Sequence, residues 1–421
     1  MSQSENFKHL LLGLIVVALL IGAKTYAEKK PFGKWFIARG YETLHSFLSH
    51  YDPNEDLAVM ALDISNLPPA PDGTTSAKGL QTIVEALIES GAKAIAITVD
   101  FSPRIDPLNP QWTDARSADD EEFFKFLKKQ SVPVFVGVHN IGADSKTWLG
   151  TEENRDLAAD LTLFREGSDS TEVNAWLQCP GSQRLRSISR ALADAYLNHP
   201  KPPDRLSSVL TDYDAAEHQM TVPLTSKAQG KVTCQTAVTL VNYGKLELLQ
   251  KLTLQTLDKE SILRARDTNG QLRFQNKLVV IGVGQRDKAA GVQVIGRDGP
   301  NDAVPHMFIH AIAAYTLVAD PVYRFKHWFT ILLDLILGAF VVIGVFLVRW
   351  RGTHDHAAAE FWFILISMAL VIGLGFVMVK AYNVLWLDFI LVLLALFLHS
   401  SVQRRLGRLF GLGAQSETKA H

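Results

Sequence analysis

The sequence predicts an α/β fold, an extracytoplasmic domain with a mostly parallel sheet flanked by helices, joined to transmembrane helices, one N-terminal and three C-terminal. Three observations predict it. Apolar residues gather at both ends of the 421-residue chain, while the middle reads as an ordinary globular protein, so a mean hydropathy of +0.09 averages two regimes. Strand and helix patterns alternate through the early part of that middle region. The strands are short, nearly continuous apolar runs, as parallel strands covered on both faces require.

Residues 10–23 are apolar, with Gly13 and Gly22 as small interruptions. Such a run is shorter than the roughly 20 residues needed to cross a bilayer. Thr25, Tyr26 and Ala27 extend it, and Lys8 and Lys29 can snorkel at its ends. A retained anchor over 1–27 is expected. A cleaved signal peptide is the rival reading, with a poor small-x-small site at 25–27. Residues 32–51 read as a helix that ends at Asp52-Pro53-Asn54.

The domain over 28–326 then opens with a strand at 57–64 (LAVMALDI), a proline-rich turn at 66–73 and a helix at 77–91 with Gly91 as its C-cap. A strand follows at 94–101 (AIAITVDF), a helix at 120–130 and a strand at 131–138 (SVPVFVGV). Residues 141–210 are less legible, with one helix ending near Tyr196. Strand patterns at 221–224 and 231–244, a helix at 246–258, a strand at 278–284 (LVVIGVG) and a helix at 305–317 complete the domain.

Three apolar runs follow, at 328–348, 361–379 and 384–398, giving a membrane region over 327–401. Trp328, Trp350, Trp362 and Trp386 lie at the ends of these runs, as an aromatic belt requires. Arg349 and Arg351 follow the first run; Arg404, Arg405 and Arg408 lie in a basic tail over 402–421. The positive-inside rule puts both in the cytoplasm and the central domain outside. Lys24, Lys29, Lys30 and Lys34 beside the first anchor argue locally for the reverse; the agreement among the three C-terminal runs outweighs them. Asp334 and Asp388 fall within the second and fourth apolar segments. A carboxylate there is costly, and three readings stay open: a wet or cross-bonded position near the outer interface, interhelical signalling, and ion conduction.

A formal charge of −1 gives no field that would favour nucleic acid. There is no phosphate loop, dinucleotide fingerprint or serine-hydrolase elbow. Cys179 and Cys234 form no CxxC pair, which excludes zinc-ribbon and thioredoxin-like readings. Outside the membrane they could form a disulfide or stay as buried thiols. No cofactor and no metal are expected.

Several motifs together resemble one family. These are AVMALDIS with Asp63, ESGAKAIAITVDF with Asp100, TLVNYG with Asn242 and Tyr243, and LVVIGVGQRDKAAG with Asp287 followed by VPHMFIHA. With one helix before and three after the domain, the chain is similar to CHASE2 proteins, bacterial extracytoplasmic sensors. His306 stands where the family usually has Gly, and Lys288-Ala289-Ala290 replaces its Thr-Pro. The resemblance implies a multi-pass protein of the bacterial inner membrane with a periplasmic or extracellular sensory domain. About twenty residues follow the last run, so a stand-alone sensor that signals through a separate membrane or cytoplasmic protein is expected, with homo-oligomerisation open.

Asp63 and Asp100 end two strands of the expected parallel sheet, where ligand crevices gather. Asn242 and Asp287 at later strand ends would extend a polar rim; the bland alternative is that each ties down a loop or caps a helix. His306 and His310, four apart on a helix, would share a face, yet zinc needs further ligands and no HExxH occurs. These six are the ligand-binding candidates. A sensor is the leading expectation, an assembly component of an envelope complex the alternative. An enzyme would need Asp63, Asp100 and a third group around one cavity.

Overall fold

The computed structural model describes residues 58–69, 75–99, 101, 118–138, 155–161, 172–178, 184–197, 208–211, 213–223, 231–243, 246–253, 258–267, 270–284, 304–319, 321–350, 356–384 and 386. It also describes 10, 11, 14, 15, 17–19, 21, 22 and 26. In chain order the elements are β1 (Val59–Asp63), α1 (Ala77–Glu89), β2 (Ala94–Ile97), α2 (Ala118–Lys128), β3 (Val134–Val138), β4 (Ala158–Asp160) and β5 (Glu172–Gln178). Then come β6 (Leu185–Arg186), α3 (Ile188–Leu197), β7 (Leu210–Thr211), β8 (Tyr213–Pro223), β9 (Lys231–Leu240), α4 (Leu246–Leu252), α5 (Lys259–Arg264), β10 (Leu278–Gly282) and α6 (His306–Ala319). The series closes with β11 (Arg324–Phe325), α7 (His327–Trp350) and α8 (His356–Tyr382). Two compact units divide them: one holds 49–207 and 211–323, the other the chain ends with 208–210 and 324–421.

The first unit is an α/β domain. Its five-stranded sheet has the order β1-β10-β2-β3-β4, and every pairing is parallel. Side chains alternate across the pleat. Met60, Leu62, Ile95, Ile97, Val279 and Ile281 point to the face covered by α1 and α2, beside Leu80, Ile83, Leu87 and Phe123. Ala61, Ala94, Ala96 and Val280 point to the other face. The three alanines admit close approach by α3 and α6, whose own contact residues include Ala191, Ala311 and Ala314. That explains why α6 is apolar nearly all round: eleven of its residues from Met307 to Leu317, in an unbroken series, are buried. Burying each Leu or Ile in such a core stabilises by about 1.5–3 kcal/mol.

Local signals fix the first crossover. Ser76 caps α1, its hydroxyl accepting from Gly79 N–H at 3.2 Å. Gly91 ends it at φ +85°, a conformation that a Cβ disfavours. The weakly patterned stretch after β3 folds into a second sheet of order β6-β5-β9-β8, whose β5–β9 and β8–β9 pairs are antiparallel and carry a register shift at Asn174/Trp176 and at Asp214/His218. Of the helix expected over 246–258, the described helical part is α4; α5 is a further helix that begins at Lys259, capped by Asp258.

The second unit contains two helices long and apolar enough to cross a membrane, His327–Val348 and Trp362–Tyr382. Along α7, Thr330, Asp334, Gly338, Val341, Val342 and Val345 form a buried stripe, while Leu332, Ile336, Phe340, Ile343 and Leu347 are exposed. Helix α8 packs there too: a Cβ on Gly344 would enter the Phe363 ring. The described residues among 10–22 are helical, and Val17 is buried where a Cβ on Gly338 would collide with it. Helix α8 ends at Asn383, which takes φ +51° while its N–H donates to Val379 O and Val384 N–H donates to Met378 O. Lys326 N–H donates to Val209 O at 2.8 Å, which brings 208–210 into this unit. The apolar run at 384–398 lies outside the described residues apart from Val384 and Trp386, both buried.

Candidate functional site

The sheet order creates one special place. Strand β10 lies between β1 and β2, although it follows them late in the chain. From β1 the chain turns to α1 on one face, and α6, which follows β10, packs on the opposite face. Adjacent strands whose continuations part in this way define a crevice beyond their carboxyl ends.

Asp63 closes β1 at that edge and is 6% exposed. Its Oδ1 accepts from Ser65 N–H at 2.8 Å, from Ser65 Oγ–H at 2.5 Å and from Gly284 N–H at 2.8 Å. Gly284 N–H also reaches Ser65 Oγ at 3.2 Å. One carboxylate thus ties the turn after β1 to the turn after β10. Glycine is required at 284, since a Cβ there would lie 2.5 Å from Asp63 Oδ2. On the other flank, Thr98 Oγ1–H donates to Ile281 O at 3.0 Å, and a Cβ on Gly282 would collide with Thr98 and Met307. The rim therefore consists of Asp63, Ser65, Thr98 and Gly284, with the start of α6 standing over the end of β10.

The other candidates part company. Asp100 and Asp287 lie outside the described residues, as do Cys179 and Asp388. Phe101, next to Asp100, is anchored: its N–H donates to Gly137 O at 3.0 Å and its ring packs on Phe123 and Phe124. His306 opens α6, one residue before Met307, whose side chain lies against Gly282 at the end of β10. His310 does not share its surroundings. It is 1% exposed in the α3–α6 interface, where Nδ1 meets Ser189 Oγ at 3.2 Å.

Asn242 is also away from the rim. It follows β9, which belongs to the antiparallel sheet, so its strand end is not an end of the parallel one. Its N–H donates to Thr316 Oγ1 at 3.0 Å. Thr316 lies ten positions beyond His306, about 15 Å along α6. Asp334 is 2% exposed, enclosed by its helical unit rather than presented outward. Cys234 is disulfide-bonded, and Cys179 is the chain's only other cysteine.

One acidic residue escaped the sequence reading. Asp160, at the carboxyl end of β4, is 1% exposed. Asn174 Nδ2–H donates to its Oδ2 at 3.4 Å, and Thr236 Oγ1 lies 3.2 Å from Asn174 Oδ1 and 2.6 Å from Trp176 O. This node links the parallel sheet to the antiparallel one. A strand of only three residues, AAD, carries too little periodicity to announce itself. Among the described residues no three His, Cys, Asp or Glu side chains gather as a metal site.

Comparison with curated proteins and with solved structures finds no match. A family model for the CHASE2 domain matches residues 11–348, which include the α/β domain and nearly all of α7. With most of its length inside that match, the chain belongs to the CHASE2 domain family.

Proposed function

We propose that the protein is a membrane-bound sensor whose α/β domain lies outside the cytoplasm, binds a small molecule or protein at the carboxyl edge of its sheet, and signals through a partner protein. The observation that carries this reading is the extent of the family match. It runs from residue 11 through the α/β domain to residue 348 in α7, so domain and apolar helix belong to one module of a sensory family. The rim of Asp63, Ser65, Thr98 and Gly284 supports the position of the ligand crevice, with Asp100 and Asp287 as the acids that would complete it.

Two features support the orientation. Arg349 and Arg351, which follow the apolar run at 328–348 in the sequence, favour the cytoplasm for that end. A disulfide at Cys234 suits an oxidising compartment, with Cys179 as its partner. In this reading residues 10–27 form the first membrane helix, which the burial of Val17 against Gly338 favours, and 384–398 form the last. Asp334, inside the buried stripe of α7, serves as interhelical glue.

The test is crosslinking and co-purification of the full chain from native membranes, together with reporters fused at the N-terminus and within 351–355. A specific partner and cytoplasmic signals at both positions are expected. A chain that runs alone under conditions preserving membrane complexes, or an extracytoplasmic signal within 351–355, would refute the reading.

A further inference from the structure

The opposite edge of the sheet carries a second polar feature. Between α5 and β10 the chain makes a short hairpin. Arg266 pairs with Leu272, Arg273 N–H donates to Ala265 O at 3.0 Å, and Gly270 turns at φ +77°. The hairpin leads into the amino end of β10, and Lys259 beside it holds Glu89 at the end of α1, so it lies away from the Asp63 rim. A cleft of about 500 Å³ opens there, within the size range of small-ligand sites. Arg264, Arg266 and Arg273 converge on it with Asp258, Glu260 and Ser261.

The charges in this cleft are unevenly matched. Asp258 is engaged in capping α5; hydrogen bonds from the Ser261 hydroxyl and N–H hold its carboxyl below the usual range. Glu260 pairs with Arg264 at 2.9 Å, but both side chains are more than three-quarters exposed, and such pairs are weak. The partners of Arg266 are the carbonyl oxygens of Leu263 at 2.8 Å and Ala265 at 3.2 Å. Arg273 is half-buried and donates to Leu252 O. Burial pushes its guanidinium below the ordinary range. A guanidinium has five N–H donors, and one or two carbonyl bonds leave most of the fork unused. Two such forks lining one cleft, that of Arg273 half-buried and that of Arg266 exposed, suit an oxyanion that can accept from both.

We propose that the cleft between Arg264, Arg266 and Arg273 is a binding site for a phosphate group, either free or as part of a phospholipid headgroup. It lies apart from the sensor crevice and does not depend on it. The two guanidiniums with no acidic partner among the described residues, Arg266 and Arg273, hold the anion, and Arg264 joins them by exchanging Glu260.

The test measures binding to the full chain in neutral detergent by titration calorimetry. Inorganic phosphate is one probe and glycerol phosphate, the headgroup portion of an acidic phospholipid, the other. R266Q removes an exposed guanidinium, and R273K keeps the charge and a donor for Leu252 O while losing the fork. Each should weaken binding at least about tenfold, the cost of about one charge-assisted hydrogen bond. The melting temperature without ligand should stay unchanged in R266Q. Equal affinity for the two probes assigns the site to free phosphate, and a clear preference for glycerol phosphate assigns it to lipid. Binding of neither probe, or binding that survives both substitutions, overturns the proposal.

Discussion

Asp63 offers the sharpest test of what the rim is built from. In the structure its Oδ1 receives two backbone N–H groups and one hydroxyl, at 2.5–2.8 Å, in a position 6% exposed. Asp63→Ala removes that acceptor. Hydrogen bonds to a charged group contribute about 1.5–3 kcal/mol each, and Gly284 N–H keeps Ser65 Oγ as a substitute, so the net loss should be about 3 kcal/mol. Asp63→Asn keeps an acceptor oxygen in place while removing the charge. Neutral hydrogen bonds are roughly half as strong, so this loss should be about 1 kcal/mol. For a domain of this size a loss of 1 kcal/mol lowers the melting temperature by about 2 °C. Thermal unfolding of the full chain in detergent should therefore show drops of about 6 °C for Ala and about 2 °C for Asn. Equal losses for the two variants would mean that the charge, not the tie between the turns, is what the site needs. No loss in either would mean that the turns hold without Asp63, and the reasoning would fail.

Other expectations follow from the same structure. Asn174→Ala leaves the buried Asp160 carboxylate and Thr236 hydroxyl short of a shared partner and should cost about 2–3 kcal/mol, read by chemical denaturation. Cys234→Ser should destabilise by about 4 kcal/mol if the bond closes the loop to Cys179, and a mobility difference between reduced and oxidised wild-type chains on gels checks the bond itself. Gly338→Leu should overpack the contact with Val17 by about 1–3 kcal/mol; crosslinking between cysteines at these two positions should be strong in a wild-type background. Phe274→Ala opens a cavity under the arginine hairpin at a fully buried site and should cost about 3–5 kcal/mol.

Which residues would gather was only partly readable. Asp63 was legible because an apolar strand ending in an acid announces its own carboxyl end, and β1 does end there. The part played by Gly284 was not, since its contact with Asp63 spans 221 positions and depends on β10 entering between β1 and β2. Asn242 shows the converse. A strand followed by a polar residue looks the same in either kind of sheet, and only pairing reveals that β9 is antiparallel. His306 and His310 sit one turn apart as spacing requires. Even so, one opens the helix and the other packs on Ser189, because depth along a buried helix is set by its neighbours.

The chain's hydrophobic patterning alone determined the α/β class, the parallel character of the first strands and the two long apolar helices after the domain. These follow from local periodicity and from the length of apolar runs, which need no partner to be read. Tertiary structure decided the strand order, the second sheet, the enclosure of Asp160 and Asp334, and the convergence of three arginines on one cleft. Each of these depends on which distant segments pair and what they desolvate. Such choices are made by the energy of the whole fold, and no short stretch of sequence carries them.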